Sequence, residues 1–445
     1  MTSRLPPGPR WPLVGSLIAP GRDPLTFLSK LAATYGDVAH FRMMGEHAFL
    51  ASHPDVIRDV LTTSSGNFTK SRGLDRARIL LGDGLLTSEG ATHLRSRRLL
   101  QPAFHRERVA GYGAVMAEYA RREAGRWTPG APFDAARAMS RLTLAIVGKT
   151  LFDADVEASA DQIGDALTRV LESFWTMLLP FPALVGRLPI PSIRRSHAAR
   201  GRLDRVIYDL IAQRRASRRD HGDLLSMLIA AEDEEDGRGL SDRQVRDEAM
   251  TLLLAGHETT ATALTWTWFL LGQAPAIERR LHEEVDRVLG GRLPSAADVA
   301  RLPFVEQVVT EAMRLYPPAW VIGRRAIAAQ PLGEFVAPPR SLVFMSQWVV
   351  HRDARFYTAP DAFVPDRWTP AFRASLPKFA YFPFGGGPRQ CIGEGFAWME
   401  LVLLVATIAQ QWRLRPVPGH AVVPRPLVTL RAKHGLPVTV EKRGA

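Results

Sequence analysis

After Asp55 most of this chain repeats apolar residues at three- and four-residue spacing. The windows 55–63, 113–123, 138–151, 203–213 and 276–289 carry that period, which predicts amphipathic helices. Earlier, Val38 to Met43 and Ala48 to Ala51 flank Gly45-Glu46 and predict a hairpin. Short apolar runs between prolines and glycines predict returning strands after Arg325 and near 421–441. Ser241-Asp242-Arg243-Gln244 has the form of a capping box, and no proline follows until Pro275. One helix through Gly272 is expected, roughly 45–50 Å long. Gly393 to Gln411 predicts another, with apolar Phe396, Met399, Leu401, Val402, Leu404, Val405 and Ile408. The expected fold class is mainly α with small β-sheets.

Length alone allows two or three domains. No linker, repeat or low-complexity tract separates them, so a single unit over 1–445 is expected. An acidic, glycine-containing loop from Glu232 to Gly239 divides two helical halves. The composition, 46% hydrophobic and 23% charged, is that of an ordinary globular protein. Met1 to Leu17 is proline-rich and lacks a charged-then-apolar signal. The most apolar stretch, Phe174 to Pro191, is interrupted by Pro180, Pro182 and Pro189. No run reaches the length of a membrane span, so no transmembrane anchor and a cytoplasmic location are expected.

The net charge of +12 raises the question of nucleic acid. No zinc-finger spacing or aromatic-and-basic signature accompanies it, so nucleic acid is not an expected partner. Arg194, Arg195, Arg200, Arg202, Arg205, Arg214, Arg215, Arg218 and Arg219 are expected on a solvated helix face. Arg95 and Arg98 are candidates to steer an acidic partner. Arg72, Arg76 and Arg78 are expected on a solvated loop, with carboxylate binding as the alternative.

The single cysteine, Cys391, lies in Phe384-Gly385-Gly386-Gly387-Pro388-Arg389-Gln390-Cys391-Ile392-Gly393. One thiol excludes a disulfide framework and a cysteine zinc cluster. The glycines let the backbone approach a bulky partner. Arg389 shares the sulfur's side if the loop is extended. A helix follows, and its dipole with a nearby cation favours the thiolate. By residue chemistry Cys391 is a nucleophile, a metal ligand, a redox switch or a buried structural thiol.

A second polar place interrupts the long helix at Ala255-Gly256-His257-Glu258-Thr259-Thr260. Thr259 and Thr260 either back-bond to the preceding turn or serve a function. Glu311 and Arg314 share a helix face, as a surface pair or something more. His257-Glu258 lacks the second histidine of a zinc-protease helix, since Ala261 stands there. His351-Arg352-Asp353 has no accompanying kinase motifs. The glycines at 385–387 fail the dinucleotide pattern, which Gln390 breaks.

The cysteine segment resembles the haem-binding loop of the cytochromes P450, Phe-x-x-Gly-x-Arg-x-Cys-x-Gly, at all specified positions. The 255–260 segment resembles that family's distal-helix motif. Phe363-Val364-Pro365-Asp366-Arg367 resembles its Phe-x-Pro-x-Arg segment. The resemblance spans essentially the whole chain. It implies a cytochrome P450 fold, with haem b between a long distal helix and the proximal C-terminal helix. It implies Cys391 as axial thiolate and metal ligand, with Phe384, Gly387 and Gly393 shaping the loop. Arg389, His93, Arg97 and Arg324 are the implied haem partners, Arg325 being the competitor of Arg324. It further implies that Gly256 lets the helix approach the haem and that Thr259 offers a hydroxyl to dioxygen. Glu258, near solvent, is the implied acid of the proton relay. Glu311, Arg314 and Arg367 form an implied buried triad that holds the cysteine loop.

The implied pocket includes Leu80, Leu81, Leu85, Ala255, Trp320, Val321 and Ile322, with Pro318 at its edge and Phe174 to Val185 as an access lid. The expected activity is monooxygenation of a fatty acid or terpenoid-like molecule with O2. Electrons are expected from a separate acidic ferredoxin or flavodoxin and an NAD(P)H reductase, since no reductase module is present, and a monomer is expected. The rival readings are a haem-thiolate peroxygenase or isomerase-type enzyme and a non-catalytic haem sensor. Glu258 argues against the sensor, which needs no proton relay.

Overall fold

The computed structural model describes residues 5–9, 23–178, 190–217, 219, 221–231, 237 and 239–443. Most of the proline-rich start, most of the acidic loop at 232–239, and the expected lid from 179 onward lie outside the described residues.

In chain order the first elements are α1 (Pro24–Tyr35), β1 (Val38–Met43), β2 (Glu46–Ala51), α2 (Pro54–Arg58), β3 (Phe68–Lys70) and α3 (Arg72–Leu81). Next come α4 (Gly90–Leu100), α5 (Arg106–Ala124), β4 (Phe133–Asp134), α6 (Ala135–Phe152), α7 (Ala160–Leu178), α8 (Pro191–Ser217) and α9 (Leu224–Ala230). The long α10 (Asp242–Gly272) leads to α11 (Pro275–Leu289) and α12 (Pro303–Leu315). Strands β5 (Ile322–Ala326), β6 (Gln330–Leu332), β7 (Phe335–Ala337) and β8 (Leu342–Met345) precede α13 (Gln347–Val350) and α14 (Pro370–Ser375). The chain closes with α15 (Glu394–Ala409), β9 (Trp412–Pro416), β10 (Pro424–Pro426), β11 (Leu430–Ala432) and β12 (Pro437–Lys442).

Two compact units form, one from residues 1–72 with 310–391, the other from 73–309 with 392–445. The first is built on a five-stranded sheet in the order β1-β2-β8-β5-β3. The expected hairpin is its edge, with Met43 opposite Glu46, and β2 pairs parallel to β8. Phe49, Ile57, Leu61, Phe68, Val343 and Phe382 belong to one apolar cluster in this unit.

The second unit surrounds α10. Ser241 and Gln244 exchange both hydrogen bonds of the capping box, and the helix runs 31 residues to Gly272 as the sequence predicts. It packs against α6, α8 and α15. Hydrophobic and polar positions are buried all round it, as a helix at the centre of a core requires. Trp266, fully buried, donates its indole N–H to the Leu430 carbonyl at 2.6 Å.

Local structure departs from pattern in three places. The 55–63 window is α2 followed by a π-helical turn at Asp59–Thr63. Arg72, Arg76 and Arg78 stand on α3 rather than a loop, and Arg78 donates to the Thr87 carbonyl at 3.1 Å. Arg214 leaves the solvated face of α8: it is buried, paired with Asp223, and donates to the Phe152 carbonyl. A guanidinium's five donors make such burial tolerable once carboxylate and carbonyl partners are supplied.

Candidate functional site

The cysteine loop is shaped by backbone that favours glycine. Gly385 and Gly387 have φ of 73° and 70°. A Cβ on Gly387 would lie 1.9 Å from the Leu61 carbonyl oxygen, and one on Gly386 would lie 2.4 Å from the Phe379 ring. Gly387–Arg389 forms a 3-10 turn, so the condition of an extended loop for Arg389 and Cys391 to share a side is not met there. Pro388 at the start of that turn fixes the local φ and favours it. The Cys391 N–H closes the loop on the Phe384 carbonyl at 3.0 Å. Cys391 is exposed.

The loop's support is polar and buried. Arg314 lies bidentate on Glu311 at 2.8 and 2.9 Å, and Arg367 reaches the same carboxylate at 3.0 Å. Glu311 and Arg314 are fully buried. Trp368, not anticipated from the sequence, donates its indole N–H to Glu311 at 2.8 Å. The backbone N–H of Val364 adds a further bond at 3.0 Å. Arg314 also donates to the carbonyls of His351, Pro360 and Ala362. His351 in turn accepts the Phe382 N–H at 3.0 Å. Burial and the nearby Arg314 hold His351 well below the usual imidazole range, so the ring is neutral and free to accept. A chain of bonds thus runs from the Glu311 carboxylate to Phe382, two residues before the cysteine loop begins.

In the second unit, α10 is buried from Val245 to Trp268 except at Ala255, Gly256 and Thr259. Ala255 and Thr259 lie one turn apart on a shared face. The missing Cβ of Gly256 points at Val147 of α6, 3.1 Å away, so this glycine also serves a helix–helix contact. Thr259 donates to the Ala255 carbonyl at 2.7 Å and Thr260 to Gly256 at 3.1 Å, the back-bonding pattern. Each hydroxyl oxygen still has lone pairs to accept.

Contrary to the expectation of a carboxyl near solvent, Glu258 lies in the interior. It is buried, ion-paired with Arg431, and accepts the Thr429 hydroxyl at 2.6 Å. Burial by itself pushes its carboxyl up, but the Arg431 guanidinium outweighs that and holds it below the usual carboxylate range. Arg431 and Thr429 come from the β11 segment, and nothing local in the sequence joins them to Glu258. His257 is buried and neutral, its Nε2 3.4 Å from the Ser140 hydroxyl.

The 80–85 segment is tied to α10 by two carboxylates that the pattern did not flag. Glu248 accepts the Leu85 N–H at 2.8 Å and Asp247 accepts the Asp83 N–H at 2.9 Å. Arg246 pairs with Asp247 and Asp204 and donates to the Leu80 carbonyl. Acidic residues on the inward face of a long helix were the available signal. Leu80, Leu81 and Leu85 are all buried. His93 is buried on α4, Arg97 half-buried and Arg98 exposed. In the first unit Arg324 is buried, whereas Arg325 reaches across to Glu46 at 3.2 Å. Alternation along β5 puts the two side chains on opposite faces. Trp320 is buried, and Val321 and Ile322 are half-buried.

Residues 5–435 match the family model described as Cytochrome P450. The chain belongs to the cytochrome P450 family. This P450 is 42% identical over 423 residues to cyclooctatin synthase of Streptomyces melanosporofaciens, covering 95% of this chain and 92% of the relative. Cyclooctat-9-en-7-ol 5-monooxygenase of the same organism is 39% identical, with 92% and 89% covered. Pentalenene oxygenase of Streptomyces avermitilis is 35% identical, with 94% and 93% covered. The cytochrome P450DA heme domain has a TM-score of 0.88 at 28% identity, covering 99% of this chain and 98% of that one. The fold is therefore the cytochrome P450 fold, and the protein is a P450 monooxygenase with haem and cysteine thiolate ligation. The residues present fit that cofactor. In the first unit an exposed thiol follows a loop in which a Cβ on Gly386 or Gly387 would clash, and in the second the burial of α10 between Val245 and Trp268 breaks at Ala255, Gly256 and Thr259. Among the described residues no helix is long and apolar enough to cross a membrane.

Proposed function

We propose that this P450 hydroxylates a terpenoid-like, largely apolar substrate. Support comes from the names of its relatives, which denote oxidation of terpenoids, and from the apolar residues of the expected pocket. On this reading a fatty acid is the less favoured substrate. The observation that carries the chemistry is the break in the burial of mid-α10 at Ala255, Gly256 and Thr259, beside the clamped Glu258.

Cys391 would supply the axial thiolate, with Phe384, Gly387 and Gly393 shaping its loop. Arg389, His93, Arg97 and Arg324 would pair with the haem propionates, and the burial of Arg324 favours it over Arg325. When bound, the haem supplies dioxygen activation, the thiolate pushing electron density toward iron. Thr259 is the proton-handling hydroxyl: its own hydrogen rests on Ala255, and its lone pairs accept. Glu258 is the acid behind it, ionised while Arg431 and Thr429 hold it. Taking up a proton therefore requires that clamp to loosen. Leu80, Leu81, Leu85, Ala255, Trp320, Val321 and Ile322 exclude water and bind apolar carbon. The two units work as one P450 module of the cytoplasm, and the lone cysteine suits a reducing compartment. A monomer receives electrons from an acidic ferredoxin or flavodoxin steered by Arg95 and Arg98.

The test is the reduced, CO-bound spectrum followed by turnover of cyclic terpenes with a surrogate ferredoxin and reductase. A strongly red-shifted Soret band that is lost in Cys391→His, with NAD(P)H-dependent hydroxylated product, is expected. The band without product from any terpene, but with product from fatty acids, would overturn the substrate class.

A further inference from the structure

Glu400 is a carboxyl outside the groups assigned to haem, dioxygen and substrate. It lies on α15 among Phe396, Met399, Leu401, Leu403 and Leu404, and it is fully buried. Neither carboxyl oxygen has a hydrogen-bond partner of good geometry. Its polar neighbour is the Thr260 hydroxyl of α10, itself 2% exposed. That hydroxyl has one hydrogen, and it is given to the Gly256 carbonyl at 3.1 Å. What Thr260 can still do is accept. A carboxylate cannot donate, so an ionised Glu400 would set acceptor against acceptor in an apolar interior.

The alternative is that Thr260 abandons Gly256 and turns its hydrogen to an ionised Glu400. One neutral donor compensates a buried charge poorly, and the charge costs more than a back-bonded hydroxyl returns.

We propose that Glu400 acts as a carboxylic acid, donating to Thr260 across the α10–α15 packing, and is a positioning residue for the α10 turn that carries Glu258 and Thr259. The inference rests on the P450 reading for its catalytic consequence, not for the hydrogen bond itself. Thr260 directly follows Thr259, so a bond there fixes the rotation of the turn whose open face the substrate side uses. Burial supports the protonated form: it pushes the Glu400 carboxyl up to about 8, against a smaller opposing effect of the Thr260 hydroxyl. Among the described residues, α5, α11, β9 and the 296–301 turn also pack on α15, and none contributes a charge to Glu400. On α10, Glu258 is paired with Arg431.

Infrared spectroscopy of the holoenzyme tests this. A protonated-carboxyl C=O band that downshifts in D2O should be present at neutral pH and absent in Glu400→Gln. Thr260→Val should move the band to higher frequency by removing its acceptor, a check that does not need the glutamine variant to fold. Because the folded acid holds its proton more tightly than the unfolded one, stability is fully present below about 4.5 and lost as pH rises through about 8. The thermal midpoint of Glu400→Gln should lack that slope. Glu400→Leu should lower the ratio of product to NAD(P)H consumed by roughly threefold or more, with Glu400→Gln restoring most of it. Identical infrared spectra and identical pH slopes in wild type and Glu400→Gln would overturn the proposal. The red-shifted CO band would survive that outcome, so failure here is distinct from failure of the P450 assignment.

Discussion

Thr259 and Glu258 sit side by side yet are held in opposite ways. The hydroxyl faces the opening in α10, while the carboxylate is buried under Arg431. Thr259→Ala removes a hydroxyl whose structural bond is one local contact, so the fold should hold. Product formation should fall by at least about tenfold, with electron flow diverted to peroxide, as measured by the product, peroxide and NAD(P)H balance. Unchanged coupling would remove Thr259 from the proton path. Arg431→Gln leaves Glu258 buried without its cation and should cost about 3–5 kcal/mol in chemical denaturation. Its pH signature has a definite sign. Glu258 has a lowered folded pKa, so its pair stabilises above the ordinary carboxylate value and is lost as pH falls. Wild type should lose stability toward acid more steeply than Arg431→Gln does. The pair was not legible in the sequence, because Glu258 and Arg431 are joined only by the fold.

At the scale of elements, the segment before the cysteine loop hangs on one carboxylate. Glu311 takes bonds from Arg314, Arg367, Trp368 and the Val364 backbone, and Arg314 spreads its remaining donors over three carbonyls. Such a cluster fixes geometry more than it adds net stability. Glu311→Ala leaves two guanidiniums without their counter-charge and should cost about 3–5 kcal/mol, with loss of haem retention on gel filtration. Retention of haem at wild-type stoichiometry would mean that the cluster does not set the loop. The sequence showed Glu311 and Arg314 as an i,i+3 pair, a spacing that surface pairs share. Burial separates the two cases, and burial is a property of the packing. The capping box of α10 was legible to the residue, since Ser241 and Gln244 satisfy each other locally.

For the whole molecule the excess of basic residues has one functional reading that can be tested directly. An acidic ferredoxin should reduce this P450 at a rate that falls steeply with ionic strength, since the Debye length shrinks from about 10 Å at 0.1 M to about 3 Å at 1 M. Arg98→Glu should slow reduction by stopped flow and flatten that dependence. An unaltered rate would move the docking site elsewhere. Arg214 shows why the run of arginines on α8 could not be read as one face: composition counts charges, while the fold decides which of them meets Asp223. What the sequence by itself determined is what short-range covalent geometry dictates. Gly385 and Gly387 give the cysteine loop its left-handed backbone, the capping box starts α10, and the absence of proline lets it run to Gly272. What only the tertiary structure decided is the electrostatic state of the groups on that frame. Whether Glu258 is clamped, whether Gly256 faces a helix, and how Glu400 meets Thr260 depend on desolvation and on partners far away in the chain.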